Sequence, residues 1–231
     1  MKIQTEITPY GPTRVLHHAA SQTRALRLSG DAAPTFTTSS ALFYLLEEQA
    51  VLAKLMKPKS FPKDHVRRFF LRAEAYRVFW SARRLRIIGV DTPEPLGFSI
   101  ILNPFTGYES IYYAEYKKSY TNVSQYIQNL SDIERLVVFE NIAIDYAKMI
   151  NGKIHFKDLH FKNVMIKKDS ALCWVDTDIR YIKSPQGLLQ KIHREIAKLK
   201  HRSANILTAK EWDFLNNAVA QRTTAIQVPR I

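Results

Sequence analysis

The chain has 231 residues, 46% of them apolar and 11% aromatic, which is enough to bury a core in one domain of two lobes and excludes a disordered chain. Its 34 Lys and Arg against 21 Asp and Glu give a formal net charge of +13, so anionic partners are expected. One cysteine, Cys173, excludes an intramolecular disulfide and reads as a core thiol in a reducing compartment, and nowhere do 18 apolar residues follow one another as a membrane span needs.

The opening, MKIQTEITPYG, carries no apolar stretch of signal-peptide length, so a protein of the cytosolic side is expected. Residues 14–19, 25–28, 41–48 and 50–56 read as short strands, the last being AVLAKLM with Lys54 inside it. A long helix is expected over 64–88. There Val66, Phe69, Phe70, Ala73, Tyr76 and Trp80 recur at steps of three or four, and Gly89 is the stop. Glu74 lies in that helix, the one acidic residue among the seven arginines from Arg67 to Arg86. A lone Glu among arginines also fits a solvated, charge-paired face.

Residues 98–103 and 109–113 form a predicted hairpin across Pro104-Phe105-Thr106-Gly107. YYAEYKK, 112–118, then leads out of the strand region as a hinge. A short helix is expected over 120–130. Ser131 and Glu134 form a capping-box pattern that opens a second, 132–150, with Leu136, Val137, Phe139, Ile142, Ala143, Tyr146, Ala147 and Ile150 as its apolar set. Asn151-Gly152 ends it. Two apolar runs, 164–166 and 171–175, flank the turn residues Lys168-Asp169-Ser170 and predict a hairpin. Ser184-Pro185 starts a basic amphipathic helix, 185–201, whose apolar side carries Leu188, Leu189, Ile192, Ile196 and Leu199. Thr208 with Glu211 caps a last one, 209–221, with Trp212, Leu215 and Val219 inward.

The densest chemical signal is HFKDLHFKNVMI, 155–166, followed by VDTD at 175–178. Asp158 precedes Asn163 by five, the spacing of the base and the metal-binding Asn in a kinase catalytic loop. Phosphoryl transfer rests on positioning and on neutralising phosphate oxygens, so it needs a carboxylate facing the acceptor hydroxyl and hard oxygen ligands for magnesium. Asp158 is the expected base, and Asn163 and Asp176 are the expected metal ligands. The hairpin between them would return Asp176 towards Asn163. The same scheme asks for a strand Lys on the nucleotide phosphates and a helix Glu paired with it, for which Lys54 and Glu74 are the candidates. His160 resembles the His of the Asp-Leu-His loop in sugar and antibiotic kinases, which implies that it supports the loop rather than binding metal; Lys157 reads as a solvent-facing charge within reach of a phosphate or carboxylate, and Asp178 as a partner of the metal or of Arg180.

With these residues identified, RAEAYRVFWSARRLRIIGVDTPEPLGF, 72–98, resembles the segment after the Glu-bearing helix in the bacterial lipopolysaccharide kinases. That family includes the Kdo kinases and the core heptose kinases. The similarity comprises Glu74 in an Arg-rich helix, Gly89, Thr92 to Gly97, Asp158 to Asn163 and Val175 to Asp178, in order over about residues 50–200. It implies an α+β, two-lobed, protein-kinase-like fold: a small β-rich N-lobe, 1–116, with one long helix, and a mainly helical C-lobe, 117–231. It also implies ATP and magnesium as cofactors, Glu115 and its neighbours at the nucleotide, and a sugar hydroxyl of the lipopolysaccharide inner core as acceptor.

The chain departs from the kinase pattern in places. Phe156 stands where the loop anchor is usual, and no Ala-Pro-Glu segment follows Asp176. No Gly-rich loop precedes Lys54. Ser29-Gly30-Asp31 and the polar run 35–40 are the segments able to cap phosphates there. The loop also resembles those of aminoglycoside and choline kinases, and a non-catalytic, nucleotide-binding regulator is the reading outside enzymes. The charge is uneven: residues 54–86 hold 11 basic and 2 acidic residues, and a second basic cluster lies between Lys183 and Arg202. Anionic lipid or glycolipid is the expected partner, with the enzyme peripheral at the cytoplasmic face of the inner membrane. No helix-turn-helix, zinc-ligand or RNP-type signature points to nucleic acid.

Overall fold

The computed structural model describes residues 2–8, 11–19, 33–46, 50–57, 73–101 and 110–223. Two compact units divide the chain. The first comprises Met1–Arg83 and Pro93–Lys117, the second Arg84–Thr92 and Lys118–Ile231.

In the first unit the described strands are β1 (Lys2–Thr8), β2 (Gly11–Ala19), β3 (Phe36–Thr37), β4 (Ala41–Leu46), β5 (Val51–Met56), β6 (Pro95–Ile101) and β7 (Ser110–Glu115). They form one antiparallel sheet in the order β1-β2-β6-β7-β5-β4-β3. Strand alternation sorts β5 into two faces. Val51 and Ala53 pack with Tyr113 on one side. Met56 lies on the other, in a cluster with Phe98, Ile100 and Tyr112 of the sheet and Ala75, Val78 and Phe79 of helix α1 (Glu74–Ile87).

Several expectations for this unit change. The described helix starts at Glu74, since Ala73 is not helical, and residues 64–72 of the expected helix lie outside the described residues. Its buried stripe is Ala75, Val78, Phe79, Ala82 and Leu85, while Trp80, expected inward, is 41% exposed with the Arg83 guanidinium 5.3 Å from its ring. The period was legible, but the helix face is set by what the sheet offers, here Phe98 and Ile100. The polar run 35–40 is a strand turn. The Thr35 hydroxyl accepts from Leu45 N at 2.9 Å and the Thr38 hydroxyl from Ala41 N at 3.0 Å, so both already cap backbone. The expected strand at 25–28 and Ser29-Gly30-Asp31 lie outside the described residues, as does the turn 104–107.

The second unit holds β8 (Thr121–Asn122), α2 (Val123–Tyr126), a 3-10 turn at Ile127–Asn129, α3 (Asp132–Asn151), β9 (Ile154–Phe156), a 3-10 turn at Phe161–Asn163, β10 (Val164–Ile166), β11 (Leu172–Trp174), β12 (Ile179–Tyr181), α4 (Pro185–Arg202) and α5 (Ala209–Arg222). The single helix expected over 120–130 is thus a strand, one helical turn and a 3-10 turn, because Asn122 pairs with Met165 before its side chain caps α2. Both capping boxes form, Ser131 with Glu134 and Thr208 with Glu211. Val137, expected inward, is exposed. Residues 84–92, early in the chain, are built into this unit: Leu85 and Val90 join its core, and Trp174 N donates to Asp91 O at 2.8 Å.

The core of this unit runs from Val138, Phe139 and Ile142 of α3 to Trp174 of β11 and the inner faces of α4 and α5. Helix α4, despite its basic outer side, buries Leu188, Ile192, Ile196 and Leu199, and Cys173 is fully buried on β11. No helix among the described residues is long and apolar enough to cross a membrane.

Candidate active site

Asp158 lies in the turn after β9, with its side chain half exposed. Three neighbours hold it. The Asn163 Nδ2 donates to the Asp158 carbonyl at 2.9 Å, His160 Nε2 lies 3.5 Å from Oδ2, and Arg202 Nη1 donates to Oδ1 at 2.6 Å. Burial acts to raise the Asp158 pKa. The Arg202 hydrogen bond and the charges of His160 and Arg202, with a contribution from Asn163, outweigh it and hold the carboxyl below its ordinary value. Asp158 is therefore a carboxylate at neutral pH.

His160 is an internal brace. Its Nδ1 accepts from Lys162 N at 3.1 Å and so caps the 3-10 turn that carries Asn163. Burial lowers its pKa, against the pull of Asp158, and the neutral ring is the form that can accept at Nδ1. Asn122 Nδ2 donates to Lys162 O at 3.0 Å, tying the loop to the start of α2. Phe156, fully buried, packs edge-on to Trp174 with centroids 5.3 Å apart.

The hairpin β10–β11 pairs Val164 with Trp174 and brings the two expected metal ligands together. Val175 N donates to Asn163 O at 2.9 Å, so Asp176 follows directly on a residue bonded to Asn163. Asn163 is buried, and because its Nδ2 is turned to Asp158 its Oδ1 is the atom left to meet a cation. Asp176 is exposed and sits at φ 54, a left-handed conformation that Asp tolerates better than most residues. Among the described residues no group of three or more His, Cys, Asp or Glu is placed to hold a metal. Two oxygen donors suit magnesium, which keeps waters and substrate phosphates as its remaining ligands.

Lys157 and Asp178 meet each other. Lys157 is not simply a solvent-facing charge: its Nζ lies 2.5 Å from Asp178 Oδ1, with the Lys157 side chain 21% exposed. Asp178 is engaged by Lys157 across the β9–β12 pair, because Lys157 follows β9 and Asp178 precedes β12 in antiparallel register.

In the first unit, Lys54 stands in register with Phe43 and Tyr112, its Nζ 5.5 Å from the Phe43 ring centre. Alternation puts it on the side of Met56, the side that α1 covers. Glu74 is the first residue of that helix. The next amide, Ala75 N, donates to Ser110 Oγ at 3.2 Å, and Ser110 is the register partner of Met56. Lys54 and Glu74 thus share one side of the sheet. Glu115 ends β7. Its amide donates to Glu94 O at 3.0 Å and its Oε2 lies 3.0 Å from Lys117 Nζ.

Sequence reasoning missed Arg202. It is the last residue of α4, where a cation also suits the helix dipole, and its contact with Asp158 spans 44 residues. Only the basic cluster at 183–202 hinted at it.

No protein-family profile and no curated protein matches the chain. Among solved structures, WaaP in complex with acyl carrier protein is similar, at a TM-score of 0.61 and 13% identity over 82% of this chain and 78% of that one. The chain has the α+β, kinase-like fold of WaaP.

Proposed function

We propose that this chain is a kinase that transfers the γ-phosphate of ATP to a sugar hydroxyl of the lipopolysaccharide inner core, a Kdo or heptose residue. The observation that supports it best is the pairing of Asn163 with the Val175-Asp176 strand end next to Asp158, on a fold shared with WaaP, together with the resemblance of the 72–98 and 158–178 segments to the lipopolysaccharide kinases. In this reading Asp158 accepts the proton of the attacking hydroxyl, and its depressed pKa keeps it ready to do so at neutral pH. Asn163 Oδ1 and the Asp176 carboxylate hold magnesium, which neutralises phosphate charge when bound. Lys54, positioned by Glu74, meets the nucleotide phosphates, and the 112–118 segment with Glu115 meets the base. His160 keeps the loop in shape without touching metal, and the Lys157–Asp178 pair fixes the β9–β12 entry to the site.

The charge of +13 suits attachment to an anionic leaflet at the cytoplasmic face of the inner membrane, at about 1 kcal/mol for each Lys or Arg near the surface. Co-sedimentation with anionic but not zwitterionic vesicles, lost at high salt, is the expected result.

The deciding experiment is transfer of labelled γ-phosphate from ATP with magnesium to purified, unphosphorylated lipopolysaccharide core, with a panel of small sugars beside it. Wild type should label the core, and Asp158→Asn should lower the rate by roughly 100- to 10,000-fold, the range of a lost general base. ATP binding without transfer to any acceptor would instead make the protein a non-catalytic, kinase-like regulator.

A further inference from the structure

We infer that the pocket beside Asp158 seats an anionic group of the acceptor, a carboxylate or a phosphate, and that Arg202 is the residue that selects for it. The inference rests on the kinase reading above and adds what the acceptor must carry near its reactive hydroxyl. The pocket, of about 300 Å³, has Asp158, Arg202 and Lys162 as its charged lining and Phe161, Leu199 and Ile206 as apolar wall. Two cations face one carboxylate there. A polycationic or quaternary-amine acceptor would meet net repulsion there. That sets this pocket apart from what an aminoglycoside or choline acceptor needs.

The geometry of Arg202 argues for recognition rather than a chance surface pair. One N–H of the guanidinium, at Nη1, goes to Asp158 Oδ1, and a guanidinium carries five in a fixed fork. A planar carboxylate or a phosphate can take its other edge in a bidentate contact while Asp158 keeps its own bond. The acceptor's anion would then lie one guanidinium width from the base, with the sugar ring against Phe161 and Ile206. The helix end that presents Arg202 is fixed. Ser203 N and Oγ both donate to Leu199 O, and Ile206 N donates to Ser203 O. Arg135 Nη2 holds Ile206 O at 2.7 Å, so the wall opposite the loop is braced from α3.

The test compares wild type, Arg202→Gln and Arg202→Lys on three acceptors: native core that lacks only the phosphate this reaction adds, that core with its carboxyls chemically reduced, and that core stripped of all phosphate. On native core, Arg202→Gln should raise KM about 10- to 100-fold with a smaller change in kcat, and Arg202→Lys should recover part of the loss. On the core that has lost the recognised anion, wild type should fall to the level of Arg202→Gln and the substitution should add nothing. Which stripped core shows this identifies carboxylate or phosphate. An equal kcat loss on all three cores would overturn the inference, since Arg202 would then act only by orienting Asp158. A binding measurement runs beside it: the Arg202 side-chain Nε resonance, assigned by its absence from Arg202→Gln, is titrated with glucuronate and with inorganic phosphate. Should wild type label no acceptor, the kinase reading falls and this titration alone decides: a saturable shift sustains the anion pocket, and none overturns it.

Discussion

The indole Nε1 of Trp174 donates to Asp145 Oδ2 at 3.0 Å, joining the strand that leads to Asp176 to the middle of helix α3. Asp145 is buried, and its other oxygen accepts from Lys148 Nζ at 2.9 Å, which also reaches Gly89 O at 2.9 Å. Segment 84–92, helix α3 and the hairpin of the expected metal ligand are thus fastened through one carboxylate.

Removing that carboxylate leaves the buried Trp174 N–H without its acceptor and takes one of two acceptors from Lys148. Asp145→Leu should cost about 1–3 kcal/mol, and Asp145→Asn less, since an amide oxygen can still meet the indole. Urea denaturation followed by tryptophan fluorescence measures it. Equal stability of Asp145→Leu and wild type would show that the network contributes nothing.

Arg135 ties three parts of the second unit together. It meets Glu211 through Nε at 2.5 Å and Nη2 at 3.0 Å, and also reaches the carbonyls of Ile127 and Ile206. Arg135→Leu strands Glu211, which is 7% exposed, and should destabilise by about 3 kcal/mol or more. Arg135→Leu/Glu211→Leu should recover part of that loss, read as a rise in the urea midpoint over the single variant.

The same pair gives a pH dependence. Hydrogen bonding from Arg135, against the opposing effect of burial and with help from Thr208, holds the Glu211 pKa below its ordinary 4.5. A folded pKa below the unfolded one means the unfolded chain binds the proton more readily. The stabilisation is therefore complete above about pH 4.5 and is lost as pH falls through the folded value. Urea midpoints measured down to pH 3 should fall for wild type more steeply than for Arg135→Leu; parallel curves would remove Glu211 as the source.

Asp176 separates backbone from chemistry. At φ 54, glycine is at no steric disadvantage, so Asp176→Gly should leave stability within about 0.5 kcal/mol, while Asp176→Val, β-branched in a left-handed position, should cost about 1–2 kcal/mol. Both should lose magnesium-dependent transfer. Retained activity in Asp176→Gly at ordinary magnesium would remove the carboxylate from the proposed metal site.

The sequence by itself determined what local chemistry decides. Ser131 and Glu134, and Thr208 and Glu211, cap helices because donors three residues apart meet within one turn, and Lys168-Asp169-Ser170 closes a hairpin because Ser170 accepts a positive φ. The hairpin in turn sets Asp176 beside Asn163, so that part of the candidate site was legible from spacing. Tertiary structure alone decided the rest. Trp80 turned outward and Val78 inward because the sheet, not the helix, chooses the buried face. Lys157 met Asp178 because β9 and β12 pair antiparallel, Phe156 against Ile179, although they lie apart in the chain. Arg202 reached Asp158 from the far end of α4, a contact no motif encodes, because it depends on the docking of a helix whose sequence states only that one side is apolar and the other basic.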